Sequence, residues 1–126
     1  NCSFGIYQDQ TGNKYAGLAS PVPYAATYGC GSPTVWVNGV QVAGGTSVTQ
    51  DVLAAAIPIG EWVILEFRNL DLSSWTAIGF GYGYPAGGYI LNGPRGDIML
   101  YPSTASTEDK DAARQWLADY YGVTLP

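Results

Sequence analysis

The 126-residue chain sets 5 Lys/Arg against 10 Asp/Glu, and a net charge of −5 repels a phosphate backbone, so nucleic acid is excluded as an expected partner. Hydrophobic residues make up 47% of the chain, enough for one core and one domain over residues 1–126, yet no apolar run approaches the roughly 18 residues of a membrane helix. Histidine is absent, which removes the commonest general base, the Ser-His-Asp and Cys-His nucleophile systems and the commonest metal ligand, so the sequence reads as non-enzymatic.

The chain begins at Asn1 without Met and with neither a basic n-region nor an apolar h-region, as expected of a processed product or an excised domain. Cys2 and Cys30 bracket the first segment. A disulfide between them would contribute about 3–4 kcal/mol on the chain-entropy model and would suit an extracellular protein. Two buried thiols in a reducing compartment are the other reading, and two cysteines alone leave both open.

In chain order, Phe4 to Tyr7 and Tyr24 to Tyr28 alternate like strands, with Pro21 and Pro23 between them. Thr34 to Val42 predicts a β-hairpin, because Asn38-Gly39 supplies the two positive-φ residues of a type I′ turn. That register puts Val35, Val37, Val40 and Val42 on one face and sets Trp36 opposite Gln41 on the other. A weak apolar segment runs from Val48 to Ile59, broken by Pro58, and strands are expected from Glu61 to Phe67 and from Trp75 to about Tyr82. Trp36, Trp62 and Trp75 then lie opposite the aliphatic rows and are expected to be core residues, covered by a second layer.

Gly81 to Gly96 is a Gly/Tyr/Pro-rich loop holding the apolar insert Tyr89-Ile90-Leu91, followed by an expected strand from Asp97 to Tyr101 that ends at Pro102. A helix is predicted over about 107–121, with Ser106 as N-cap, Asp109 three residues on and Gly122 at its C-terminal end. Ala113, Trp116, Leu117 and Tyr120 fall at helical spacing and read as its buried stripe, packed on the Trp-bearing face of the sheet.

The hairpin Trp36-Val37-Asn38-Gly39-Val40, then Trp62-Val63-Ile64-Leu65, then Gly96-Asp97-Ile98, then an acidic-capped helix ending Trp116-Leu117-Ala118-Asp119-Tyr120-Tyr121-Gly122-Val123, resembles concanavalin A-like lectin/glucanase (LamG-type) jelly rolls. More narrowly, Trp62 to Leu70 with Asp71-Leu72-Ser73-Ser74-Trp75-Thr76-Ala77-Ile78-Gly79 and the terminal Gly122-Val123-Thr124-Leu125 is similar to LamG-like domains of phage tail and other virion surface proteins. The resemblance covers about residues 34–125 and leaves the first 30 unmatched. It implies an all-β fold, an antiparallel two-sheet jelly-roll sandwich closed by the one C-terminal α-helix, on an extracellular or virion surface. It speaks to fold more than to function.

Glucanases that share that fold resemble one another in carrying a Glu-x-Asp-x-Glu-like cluster on one strand, and nothing here matches it. Glycoside hydrolysis needs two carboxyls about 5–10 Å apart across a cleft, whereas Glu61 and Glu66 are spaced to lie on opposite faces of a strand and read as solvated edge carboxylates. Glu108, Asp109 and Asp111 read as first-turn helix residues that meet the dipole. Asp71, Asn92 and Asp97 have oxygens suited to calcium, but the sequence specifies no such site, and no cofactor is expected.

The remaining candidate is the loop bearing Tyr82, Tyr84, Tyr89, Asn92 and Arg95, where flat rings, an amide and a guanidinium could stack on and hydrogen-bond to sugar. The same set would also serve as a protein-contact loop or an oligomer interface. The expected function is therefore a non-catalytic carbohydrate- or receptor-binding module with a glycan or host-surface receptor as partner. The alternative is a structural or decoration domain contacting capsid, fibre or sister subunits, with homo-oligomers possible.

Overall fold

The computed structural model describes residues 30–44, 49–58 (Gln50 by its backbone), 60–75 and 96–126, together with the backbone of the strand residues 4–7, 15–18, 27–28, 79–80, 82–83 and 89–90. Its elements, in chain order, are β1 (Phe4–Tyr7), β2 (Tyr15–Leu18), β3 (Thr27–Tyr28), β4 (Thr34–Val37), β5 (Val40–Gly44), α1 (Gln50–Ala56), β6 (Leu65–Arg68), β7 (Gly79–Phe80), β8 (Tyr82–Gly83), β9 (Tyr89–Ile90) and α2 (Thr107–Tyr121). The described strands form three antiparallel sheets, ordered β3-β2-β1-β7, β5-β4-β6 and β8-β9.

This arrangement replaces the two-sheet jelly-roll sandwich. The described strands are two to five residues long, they divide among sheets of four, three and two, and a second helix joins the expected one. Three segments account for the difference. Asp97 to Tyr101 has no ladder partner and is irregular. Residues 61–64 precede β6 without joining it, because the backbone of Ile64 is bonded to the hairpin turn: its N–H donates to Asn38 Oδ1 at 2.9 Å and its carbonyl accepts from Asn38 N–H at 2.9 Å. The 48–59 segment contains α1, in which Thr49 Oγ1 accepts from Val52 N–H at 3.4 Å as N-cap, Ala54 to Ala56 are strong helix formers, and Pro58 follows the C-terminal end.

The β4–β5 hairpin forms as its turn chemistry demands, with Asn38 at φ 48° and Gly39 at φ 83°. Trp36 pairs with Gln41 as expected, but a bulge between Val35 and Trp36 sets Val35 opposite Ala43. The expected four-valine face is therefore uneven. Val35 and Val37 are buried, Val42 is half-buried, and Val40 is 50% exposed.

Across the other edge of β4, Val35 pairs with Phe67 and Val37 with Leu65. Val35 and Leu53 of α1, both at 0% exposure, form the centre of the core, and Val42, Ala43, Ile57, Leu65 and Phe67 pack around them. Burying an aliphatic side chain of this size is worth about 1.5–3 kcal/mol, so Leu53 is a main attachment of α1 to the sheet.

α2 runs over the predicted 107–121. Ser106 and Asp109 form a capping box, and Gly122 closes the C-terminal end in the left-handed conformation at φ 70°. Among the described residues, no helix is long and apolar enough to cross a membrane.

Candidate functional site: an exposed aromatic row

The stripe that α2 turns inward is Lys110, Ala113, Arg114, Leu117, Ala118 and Tyr121, half-buried except for Ala118, which is fully buried. The i, i+3, i+4 spacing is the predicted one, rotated by about one residue. Trp116 and Tyr120, assigned to the buried side from the sequence, are instead 49% and 68% exposed. Trp62, expected in the core, is 43% exposed; Trp36 and Trp75 are half-buried.

The rotation follows from what the sheet offers α2. The face of β4 and β6 opposite the core carries Trp36 paired with Glu66 and Thr34 paired with Arg68. Glu66 accepts from Arg68 Nη2 at 2.9 Å and from Arg114 Nε, and the guanidinium of Arg68 lies 4.0 Å over the Trp36 ring. Arg114 also pairs with Asp111 at 2.9 Å. Its hydrogen bond to Glu66 outweighs the desolvation of a group only 12% exposed and raises its pKa further, so it stays charged. Glu66 is thus an ion-paired anchor with 18% of its side chain exposed, not the solvated edge carboxylate expected from its spacing, whereas Glu61 is exposed as expected. A helix that must bring an arginine to this anchor cannot also bury Trp116 and Tyr120.

Outside that anchor the rings form a continuous row. Trp62 and Tyr121 stand 4.8 Å apart at 43°, Tyr121 meets Tyr120 edge-on at 4.9 Å, and Tyr120 stacks on Trp116 at 5.4 Å with 13° between their planes. The row is fixed at Tyr121 to the chain before α2. Tyr121 O–H donates to Asp97 Oδ2 at 3.1 Å, Asp97 N–H donates to Tyr121 Oη at 3.0 Å, and a Cβ at Gly96 would stand 2.9 Å from the Tyr121 ring. Desolvation, then the hydrogen bond to the Asp97 carboxylate, pushes the Tyr121 phenol above its ordinary pKa.

Beside the Trp116–Tyr120 ridge runs a polar one, in which Gln115 Nε2 donates to Asp119 Oδ1 at 2.8 Å. The helix therefore presents two parallel i, i+4 ridges, one of rings and one of hydrogen-bonding groups.

Of the predicted loop residues, Tyr82 and Tyr89 belong to the β8-β9 ribbon, where Tyr82 pairs with Ile90 and Gly83 with Tyr89, so the two tyrosines occupy adjacent register positions. Tyr84, Asn92 and Arg95 lie outside the described residues, as does Cys2. Cys30 is buried, and its carbonyl accepts from Asp71 N–H at 2.9 Å.

Asp71 Oδ1 accepts from Ser73 N–H at 3.0 Å, so of the three residues with oxygens suited to calcium, Asp71 and Asp97 each engage neighbouring protein groups. Among the described residues no group of three or more His, Cys, Asp or Glu comes together to hold a metal ion. Glu108 and Asp109 occupy the first turn of α2 as expected, whereas Asp111 lies beyond it and pairs with Arg114.

The aromatic row was missed from the sequence because two stripes of α2 compete at the same spacing. The signal for the correct one was Arg114, a cation at an inward position with a strand glutamate to meet it. The chain matches no family model, no curated protein and no solved structure.

Proposed function

We propose that this chain is a non-catalytic recognition module of an extracellular or virion surface, binding carbohydrate by stacking sugar rings on Trp62, Tyr120 and Trp116. One observation carries the reading: three large aromatic side chains, each more than two-fifths exposed, are joined through the half-buried Tyr121 into a single row of ring contacts. Holding such area in water is costly unless a ligand covers it, and flat rings flanked by an amide and a carboxylate suit the apolar faces and hydroxyl edges of a pyranose. The Gln115–Asp119 ridge supplies those polar partners.

The test is a glycan array probed with the intact chain and with a Trp116→Ala/Tyr120→Ala variant. The reading expects selective binding that the double variant loses while its circular dichroism stays unchanged. Equal signals from the two proteins would refute the assignment to this row, and Tyr82→Ala and Tyr84→Ala variants would then locate the contact in the tyrosine loop.

A second reading, a structural domain contacting sister subunits, draws support from Ile98, Met99, Leu100 and Tyr101, all exposed in a segment without ladder partners. It requires self-association at micromolar concentration that a Leu100→Asp variant abolishes. A monomer by light scattering in both forms counts against it.

A further inference from the structure

Resting on the carbohydrate reading above, we infer that the ligand class of the aromatic row is a cationic amino-sugar glycan, one whose rings carry protonated amines, in preference to a neutral or acidic polysaccharide. The inference comes from the charge that borders the rings. Glu61, exposed, directly precedes Trp62; Asp97 is bonded to the hydroxyl of Tyr121; and Asp119, exposed and accepting from Gln115, lies on the ridge of α2 beside Trp116 and Tyr120. Acidic residues thus adjoin the row in sequence at Trp62, by hydrogen bond at Tyr121 and on the neighbouring ridge of α2 at Asp119.

Among the described residues, both arginines are engaged elsewhere. Arg114, 12% exposed, is held by Glu66 and Asp111, and Arg68 lies over Trp36 with its guanidinium paired to Glu66. Lys110 is half-buried and six residues before Trp116, about 9 Å along the helix axis. The chain's other two cations, Lys14 and Arg95, lie outside the described residues.

Ring faces are themselves electron-rich, so quadrupole and carboxylates attract the same sign of charge. A neutral sugar gains only stacking and hydrogen bonds here, and an acidic one meets repulsion. A sugar bearing an ammonium group gains from the rings and from the carboxylates together, each exposed contact adding a factor of a few in affinity.

The experiment is calorimetric titration of the whole chain, at mildly acidic pH, with three oligosaccharides: a glucosamine hexamer, the matched N-acetylglucosamine hexamer in which every amine is capped, and a hyaluronan oligomer. The free-amine hexamer is expected to bind about tenfold tighter than its acetylated twin and the acidic oligomer weakest. That advantage shrinks several-fold as salt rises from about 50 mM to about 500 mM. Asp119→Asn is expected to cost about threefold for the free-amine hexamer and nothing for the acetylated one, whereas Trp116→Ala weakens both. Both positions are exposed, and unchanged circular dichroism reports that the variants fold.

Equal affinity for the free-amine and acetylated hexamers overturns the charge inference and leaves the carbohydrate reading standing. Failure of all three to bind overturns both. Polylysine binding as tightly as the glucosamine hexamer, with the same dependence on Trp116, also overturns the inference and makes the partner a basic polypeptide.

Discussion

The two faces of the β5-β4-β6 sheet are closed by unlike forces. On one, Val35 meets Leu53 at full burial, with Leu65, Phe67, Val42 and Ile57 packed around them. On the other, Glu66, paired within the sheet to Arg68, also accepts from Arg114 of α2, an ion pair set in the inward stripe that holds Ala113, Leu117 and the buried Ala118. An apolar face consumes the hydrophobic stripe of whatever covers it. On the other face an inward arginine shares the stripe with small and aliphatic residues and sets the rotation of α2, so that Trp116 and Tyr120 remain outside. The exposed row is in this sense a product of how the second face is closed.

The comparison is broken most directly at its apolar side. Leu53→Ala removes three heavy atoms from a fully buried position, and large-to-small changes of this kind cost about 2–5 kcal/mol. The expected outcome in urea denaturation is a loss in that range with no change in its dependence on salt. A loss below about 1 kcal/mol would mean that α1 packs far more loosely than its 0% exposure implies.

The features legible in the sequence share one property, that their determinants are local. Asn38-Gly39 dictates its turn through its own backbone, and Ser106, Asp109 and Gly122 bound α2 through hydrogen bonds that span three or four residues. What failed was set by distant partners. Alternation at 61–67 signalled a strand, but Ile64 bonds to Asn38 across 26 residues and the ladder begins only at Leu65. The outward turn of Trp116 depends on Glu66, 48 residues from Arg114, and no spacing within the helix records it. α1 was hidden for another reason: Val48, Val52 and Ile57 made its segment look like a broken apolar run, and Thr49 as N-cap with three alanines was the overlooked cue. The candidate site was displaced accordingly, from the tyrosines of the 81–96 loop to aromatic residues assigned to the core.

The ionic face gives a smaller effect with a different signature. Glu66→Gln leaves Arg114 and Arg68 without their shared carboxylate, and hydrogen bonds to charged groups at such part-buried positions are worth about 1–3 kcal/mol. In parallel urea titrations at about 50 mM and about 1 M salt, the gap between wild type and this variant is expected to narrow as salt rises, while the Leu53→Ala gap stays constant. Equal salt responses in the two variants would erase the distinction between the faces. A further consequence sharpens the link to the rings: with α2 less firmly anchored, tryptophan emission should report a changed environment at Trp62 and Trp116 in Glu66→Gln and none in Leu53→Ala below its unfolding transition.

The smallest expected effect lies where the ring row meets the chain before α2. Tyr121 donates to the Asp97 carboxylate, and its phenol is pushed above the ordinary tyrosine value, so its protonated form is the one the folded state favours. For a group whose pKa is raised on folding, the stabilisation is fully present below the unfolded-state value, about 10 for tyrosine, and is lost as pH rises through the folded-state value. Wild type should therefore be more stable than Tyr121→Phe at neutral pH, and the difference should fall toward zero above about pH 10 as phenolate and carboxylate come to face each other. Urea midpoints of the two proteins at stepped pH measure it. If the difference were constant across that range, the hydroxyl would contribute nothing at Asp97, and the hold on the row at Tyr121 would reduce to the packing of its ring against Gly96 and Trp62.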